Sequence, residues 1–261
     1  MEENKYLWPM LQSLPYFRAL LRSVEANFYC EFVLESPLLD LGCGDGQFAS
    51  VVFEQSVDVG IDPALSSLHE AKKQQAYRLL AQSVGAQMPF SDAYFASAFS
   101  NSVLEHIPDL QAVLNETGRV MKAGGLFLFC VPNHRWQGSL SVSNILNRFG
   151  LRRLANAYVR IFTRISRHIN MLSPEEWSMR LGQAGFSVER YWHYFPPAAV
   201  HALEWGHYFG LPSWVARLLT GSWILAPARW NLALTERLLR RLAQNGIDQQ
   251  GAYSWYVARR K

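Results

Sequence analysis

The run Leu38-Leu39-Asp40-Leu41-Gly42-Cys43-Gly44-Asp45-Gly46 constrains this chain more than any other stretch. An apolar segment ends in a glycine-rich turn, and Phe48-Ala49-Ser50-Val51-Val52-Phe53 opens a helix directly after it. Strand, glycine turn and helix in that order form a nucleotide-binding unit of an α/β sheet. The glycines permit backbone conformations closed to other residues and let a ligand lie against the main chain. The start of the helix adds unpaired N–H groups suited to a polar or anionic ligand.

The turn does not suit a dinucleotide. That fingerprint requires G-x-G-x-x-G. Here the third glycine comes one residue early, at Gly46, Gln47 occupies the expected place, and Asp45 would repel a pyrophosphate. A ligand without phosphates fits better. Val57-Asp58-Val59-Gly60-Ile61-Asp62 reads as a second strand ending in a carboxylate. An acidic side chain at that strand end can accept both hydroxyls of a ribose. The plainer reading of Asp62 is a helix cap, since Pro63 follows. Further along come Met88-Pro89-Phe90, the strand Phe95-Ala96-Ser97-Ala98-Phe99-Ser100, the segment Asn101-Ser102-Val103-Leu104-Glu105-His106-Ile107, and Leu114 to Gly125 as a helix and glycine turn. These lead into a strand from Leu126 to Val131.

In this order the segments resemble class I S-adenosylmethionine (SAM)-dependent methyltransferases, in the branch that includes quinone and small-molecule enzymes. The resemblance is dense over 36–134 and resumes over 172–194. It implies a seven-stranded, mostly parallel, doubly wound Rossmann-like sheet with an antiparallel last strand. It also implies SAM as cofactor, held by Asp40, Leu41, Gly42, Cys43, Gly44, Asp62, Val84 and Asn101. Asp62 stands where the family binds the ribose. Val84 falls where the family often has an acidic partner for the adenine amino group, so Gln82, Ser83 or a backbone carbonyl would have to substitute. His106 is the best candidate for a general base, because an imidazole titrates near pH ~6.5 and the loop faces the methyl donor in the family. A structural histidine ahead of the Pro108-Asp109 helix start is the plainer alternative. His134 and Tyr158 are weaker base candidates, and Cys130 reads as core. A dinucleotide oxidoreductase and a SAM-binding protein without transfer activity are the competing functional readings.

The 261 residues suit one elaborated domain, and a net charge of +4 does not argue for nucleic acid. The three cysteines show no metal-ligand spacing and no disulfide framework, so no metal is expected and the chain suits a reducing cytoplasm. Met1-Glu2-Glu3-Asn4-Lys5 does not read as a signal peptide, and no apolar window is long enough to span a membrane.

The expected organisation has six segments: a helical lead-in (1–35), a SAM-binding core (36–133), a basic amphipathic insert (134–172), a core helix and sixth strand (173–195), a Trp/Arg-rich insert (196–250) and a last strand (251–261). Pro15 breaks the lead-in. Ser173-Pro174-Glu175-Glu176 reads as a capping box, with Gly185 ending its helix. The first insert holds seven arginines and no Asp, Glu or Lys. Its Leu151, Leu154, Tyr158, Ile161, Phe162, Ile165 and Ile169 form one apolar stripe, with Arg153, Arg160, Arg164 and Arg167 opposite. In the second insert Trp230, Leu234, Leu238 and Leu242 share a face. These patterns fit ordinary solvated helices, a helix lying on an anionic membrane, or recognition of an acidic solute. A small-molecule or lipid-like acceptor is expected. So is a cytoplasmic location, with peripheral membrane contact as a further option.

Overall fold

The structure, a computed structural model, describes residues 4–244 and 246–261. The first three residues of the lead-in, which carry part of the signal-peptide reading, lie outside the described residues, as does Asn245 in the second insert. The chain forms two compact units, one comprising Phe32–His134, Arg167–Trp192 and Tyr253–Lys261, the other Met1–Glu31, Arg135–Ser166 and His193–Ala252.

The first is a sheet unit. Its strands are β1 (Leu38–Leu41), β2 (Val57–Asp62), β3 (Tyr77–Gln82), β4 (Phe95–Asn101), β5 (Met121–Pro132), β6 (Phe186–Tyr194) and β7 (Tyr253–Arg260). They form one seven-stranded sheet, as the resemblance implied, in the order β3-β2-β1-β4-β5-β7-β6. Strands β1 to β5 pair in parallel, and β7 is antiparallel to β5. β1 is buried along its whole length, which suits a central strand covered on both faces. The core gathers Leu39, Leu41, Phe95, Phe127, Phe129 and Trp177. Helices α3 (Gln47–Val52), α4 (Leu65–Gln74), α5 (Leu110–Val120) and α8 (Pro174–Gln183) flank the strands in sequence. Asp109 caps α5 by accepting from the Ala112 N–H, and α8 begins with the expected capping box. The glycine turn expected before β5 lies inside that strand. The register passes from Phe95–Met121 to Ser97–Leu126, so residues 122–125 form a bulge with Gly124 at φ 78°.

The second unit is helical. It contains α1 (Leu7–Ser13), α2 (Tyr16–Tyr29), α6 (Ser141–Arg148), α7 (Arg152–Ser166), α9 (Pro197–Phe209), α10 (Leu211–Thr220) and α11 (Arg229–Ala243). The break between α1 and α2 falls at Leu14–Pro15, where proline denies the helix a backbone donor. Its anchor is Glu204 on α9, whose side chain is fully buried and accepts from the Ser141 N–H, the Ser141 hydroxyl, the Val142 N–H and the Tyr158 hydroxyl. The carboxylate thereby occupies the N-terminus of α6, where free N–H groups favour negative charge. Phe17 and Phe162 pack on the His207 ring with centroids at 4.7 and 5.2 Å.

The amphipathic faces of this unit do not all turn inward. α7 buries Ala155 and Phe162, while Leu154, Ile161 and Ile165 of its stripe stay exposed, as do Leu151 just before the helix and Arg153, Arg160 and Arg164. The helix ends at Ser166, so Ile169 falls outside it. α10 buries no residue. α11 packs through Leu232, Leu239 and Ala243, leaving Trp230, Leu234 and Leu238 at 82%, 69% and 69% exposed. Among the described residues no helix is long and apolar enough to cross a membrane.

Candidate cofactor site and the neighbouring histidine cluster

The glycine turn is fastened to the carboxyl end of β2. Gly42 N–H and Cys43 N–H both donate to the Ile61 carbonyl at 2.9 Å. Gly44 N–H donates to Asp62 Oδ2 at 3.1 Å, and Ala64 N–H to Asp62 Oδ1 at 2.8 Å. Gly42, Gly44 and Gly46 all have positive φ, at 83°, 55° and 74°. Their surroundings differ. A Cβ on Gly42 would fall 2.5 Å from Val103 Cγ1, and one on Gly46 would fall 3.0 Å from Ala71 Cα, whereas Gly44 has nothing within 4 Å. Gly42 and Gly46 are thus required by packing, and Gly44 presents open main chain to a ligand.

Asp62 is half-buried, and each carboxylate oxygen accepts one backbone N–H. An ionised carboxylate has about four acceptor positions, so both oxygens keep capacity for a diol. The capping alternative is not realised, because the N-cap of α4 is Ala64 and no side chain caps the helix; Asp62 accepts the Ala64 N–H outside it. The residues therefore fit a ribose-bearing cofactor at the strand carboxyl ends, where open α/β sheets bind ligands.

The other expected cofactor residues are placed less uniformly. Asp40 is buried and accepts from the Tyr77 hydroxyl at 2.6 Å, so its side chain braces the turn from behind. Burial, together with the carboxylates of Asp40 and Asp62, pushes the Cys43 thiol far above its ordinary range, which makes it a packing group and not a nucleophile. Leu41 is buried and its carbonyl accepts from the Ser100 hydroxyl. Asn101 is buried at the end of β4 and accepts from the Cys130 thiol at 3.3 Å. Val84 is 54% exposed two residues past the end of β3, whose register pairs Gln82 with Asp62. Of the substitutes for an acidic adenine partner, the Gln82 amide donates to the Pro63 carbonyl, and the Ser83 hydroxyl lies 2.9 Å from the Gln87 carbonyl. The helix start is also less open than expected, because Asp45 Oδ1 accepts the Gln47 N–H.

His106 lies in the 3-10 turn Leu104–His106 that follows β4. Its Nδ1 is 2.9 Å from the Arg167 carbonyl. A carbonyl only accepts, so Nδ1 carries a hydrogen, and in the neutral imidazole Nε2 holds the lone pair. Nε2 is 3.8 Å from Oε1 of Glu105, a buried carboxylate, and the His168 ring stands 5.5 Å from that of His106. One ligand atom from each of Glu105, His106 and His168 lies within 4.8 Å of the others. Sequence reading missed Glu105 and His168. No spacing signal could have found them, since the two segments are joined only by the fold.

The weaker base candidates recede. Tyr158 donates to Glu204 and accepts from the Tyr208 hydroxyl, and burial with the Glu204 bond raises its phenol well above the ordinary value. His134 is an exposed residue beyond β5. Cys130 is core, as expected.

A family model described as a methyltransferase domain matches residues 7–191. The chain belongs to this family. SAM is the cofactor of such enzymes. A malonyl-[acyl-carrier protein] O-methyltransferase of Serratia marcescens is 37% identical over 93 residues, which is 35% of this chain and 36% of that protein. An uncharacterised methyltransferase of Mycobacterium sp. (strain JLS) is 33% identical over 90 residues, 34% of this chain and 36% of that protein. The chain thus covers little more than a third of the length of the curated relatives it matches. Among solved structures, a SAM-dependent methyltransferase of Thermotoga maritima, described as a possible histamine N-methyltransferase, superposes with a TM-score of 0.57 at 15% identity, covering 94% of this chain and 91% of that one. A [4+2]-cyclase superposes with a TM-score of 0.56 at 17% identity, covering 91% and 80%. The fold is therefore shared by proteins named for other chemistry, and the site residues have to carry the argument about activity.

Proposed function

We propose that this methyltransferase-family chain transfers a methyl group from SAM to a small, lipid-like acceptor while resting on an anionic membrane surface. The observation that carries the cofactor half is the pairing of open main chain at Gly44 with Asp62, whose carboxylate is tied to the same turn. SAM supplies an electrophilic methyl carried on a sulfonium. The chain's part is positioning. Asp62 would take the ribose hydroxyls, Gly42 to Gly44 would line the cofactor's main-chain side, Val84 would pack on the adenine, and Asn101 would close the β4 side. Holding two reactants at attack distance can contribute ~7–11 kcal/mol. If the acceptor is a hydroxyl, His106 Nε2 is the atom of the 104–106 turn able to take its proton in the metal-free protein.

The acceptor half rests on the helical unit. Among the described residues, its exposed apolar side chains include Phe149, Leu154, Ile161, Leu218, Leu219 and Trp230, in segments that also carry exposed arginines. Helices with an exposed apolar face and exposed arginines suit the boundary between headgroups and acyl chains. The malonyl-carrier methyltransferase of Serratia marcescens acts on an acyl group by its name, which agrees with a lipid-like acceptor here. The six segments expected from sequence are retained as a proposal for function, with cofactor binding in 36–133 and acceptor or membrane contact in 134–172 and 196–250. The test is to incubate the protein with methyl-labelled SAM and total lipid or soluble metabolites from a cell extract. Label is expected in the lipid fraction. Label confined to water-soluble products would refute the lipid-like acceptor, and no transfer to either would refute the activity.

A further inference from the structure

We propose that Glu105, His106 and His168 form a binding site for a divalent transition-metal cation of the zinc class. The inference is independent of the methyl-transfer reading. Two imidazoles and one carboxylate are a donor set that zinc accepts in tetrahedral sites, with water as a fourth ligand. Nitrogen donors also favour zinc, cobalt or nickel over magnesium or calcium.

Three features support a site. The first is composition at close range: the three ligand atoms already lie within 4.8 Å of one another, and Glu105 Oε1 is 3.8 Å from His106 Nε2. Ligands ~2.0–2.2 Å from a tetrahedral ion are about 3.3–3.6 Å apart, so side-chain rotation alone can complete the shell.

The second is the orientation of His106. Its Nδ1–H is held by the Arg167 carbonyl at 2.9 Å, which turns the Nε2 lone pair toward Glu105. A ligating histidine almost always has such a bond on its other nitrogen, fixing the tautomer and ring plane.

The third is the backbone that brings His168 to the turn. Ile169 and Asn170 N–H groups both donate to the Glu105 carbonyl, and the Asn170 side-chain amide donates to the Leu104 and Ile107 carbonyls at 2.8 and 2.7 Å. Arg167, next to His168, has φ 55°, a left-handed conformation that costs a non-glycine residue of order 1–3 kcal/mol and persists only when its surroundings enforce it. These bonds hold residues 167–170 against 104–107 and set His168 beside the Glu105–His106 pair. His106 is exposed, so a fourth position is open to water or an oxygen ligand. With a cation bound, Nε2 of His106 is a ligand and no longer a proton acceptor.

The experiment uses the full chain, untagged and stripped with a chelator, titrated with Zn²⁺ or Co²⁺ and separately with Mg²⁺. One Zn²⁺ per chain is expected, with a Co²⁺ spectrum showing tetrahedral nitrogen and oxygen ligation and no saturable Mg²⁺ binding. His106→Ala and His168→Ala should each weaken Zn²⁺ binding by at least about 10–100-fold, the loss typical of removing even an outer-shell partner. His134→Ala should leave it unchanged. Circular dichroism and SAM binding confirm that each variant is folded, and both histidine changes lie at least partly on the surface. Absence of stoichiometric Zn²⁺ in the parent chain would overturn the proposal. So would equal Zn²⁺ affinity in folded His106→Ala and His168→Ala variants, or saturable binding of Mg²⁺ but not Zn²⁺.

Discussion

The sheet unit and the helical unit use their apolar residues in opposite ways. In the sheet unit aromatic and aliphatic side chains close around β1, β4 and β5, with Phe95, Phe127 and Phe129 fully buried. In the helical unit Met10, Leu20, Trp136, Phe162 and Val200 are likewise fully buried around the hydrogen-bonded Glu204, but long apolar side chains on α7, α10 and α11 face solvent. A core that is complete needs no partner. Exposed apolar side chains on helices that also carry exposed arginines are what an interfacial surface requires. The contrast supports the proposal that the first unit binds the cofactor and the second contacts the acceptor's environment.

The largest expected effect tests the anchor of the helical unit. Glu204→Ala would leave the buried Ser141 N–H, the half-buried Val142 N–H and the Ser141 and Tyr158 hydroxyls without their acceptor. A cost of about 3–5 kcal/mol is expected, since each buried donor left without an acceptor costs about 1–3 kcal/mol and the losses overlap. Chemical denaturation followed by tryptophan fluorescence would show it, and a loss below 1 kcal/mol would mean the carboxylate is not the anchor.

The next tests the exposed face. Changing Arg153, Arg160 and Arg164 together to Glu should abolish sedimentation with anionic vesicles, since each basic residue near such a surface contributes about 1 kcal/mol. Added salt should weaken binding of the parent chain. Equal binding of the parent to neutral and anionic vesicles, or none to either, would show that the arginines serve another purpose.

The smallest effect concerns pH. Burial lowers the His207 pKa below its ordinary value, against the opposing bond from its Nδ1–H to the Leu203 carbonyl. The unfolded chain therefore takes up this proton first as pH falls below ~6.5, and the folded state loses stability from there down to the folded pKa. Thermal melts should show the midpoint falling with acidity over that interval, with a flatter dependence in His207→Gln. Parallel curves for the two proteins would remove His207 as the cause.

Local constraints were legible in the sequence, and destinations were not. The glycine turn could be read because positive φ and close approach require that residue type at Gly42, Gly44 and Gly46. The succession of strands and helices along the chain, and Asp62 at a strand end, followed from the same motif chain. The capping box at Ser173 was readable because it is closed within four residues. Asp40, by contrast, faces Tyr77, and nothing in either segment announces that meeting. The amphipathic pattern of α11 showed that Trp230, Leu234 and Leu238 share a face, but periodicity does not say whether protein covers that face. The pairing of Glu204 with α6, and of Glu105 and His106 with His168, arises from segments far apart in sequence. It became visible only in the fold.

The central claim, that the turn and Asp62 hold the cofactor, is tested most directly by calorimetric titration of SAM into the parent chain, Asp62→Ala and Gly44→Val. The account predicts saturable binding by the parent and a loss of about 1.5–3 kcal/mol in Asp62→Ala, the range for a charged hydrogen bond. Gly44→Val, whose side chain would enter the open space rather than the packed core, should bind more weakly still. Unchanged SAM affinity in both folded variants would contradict the account.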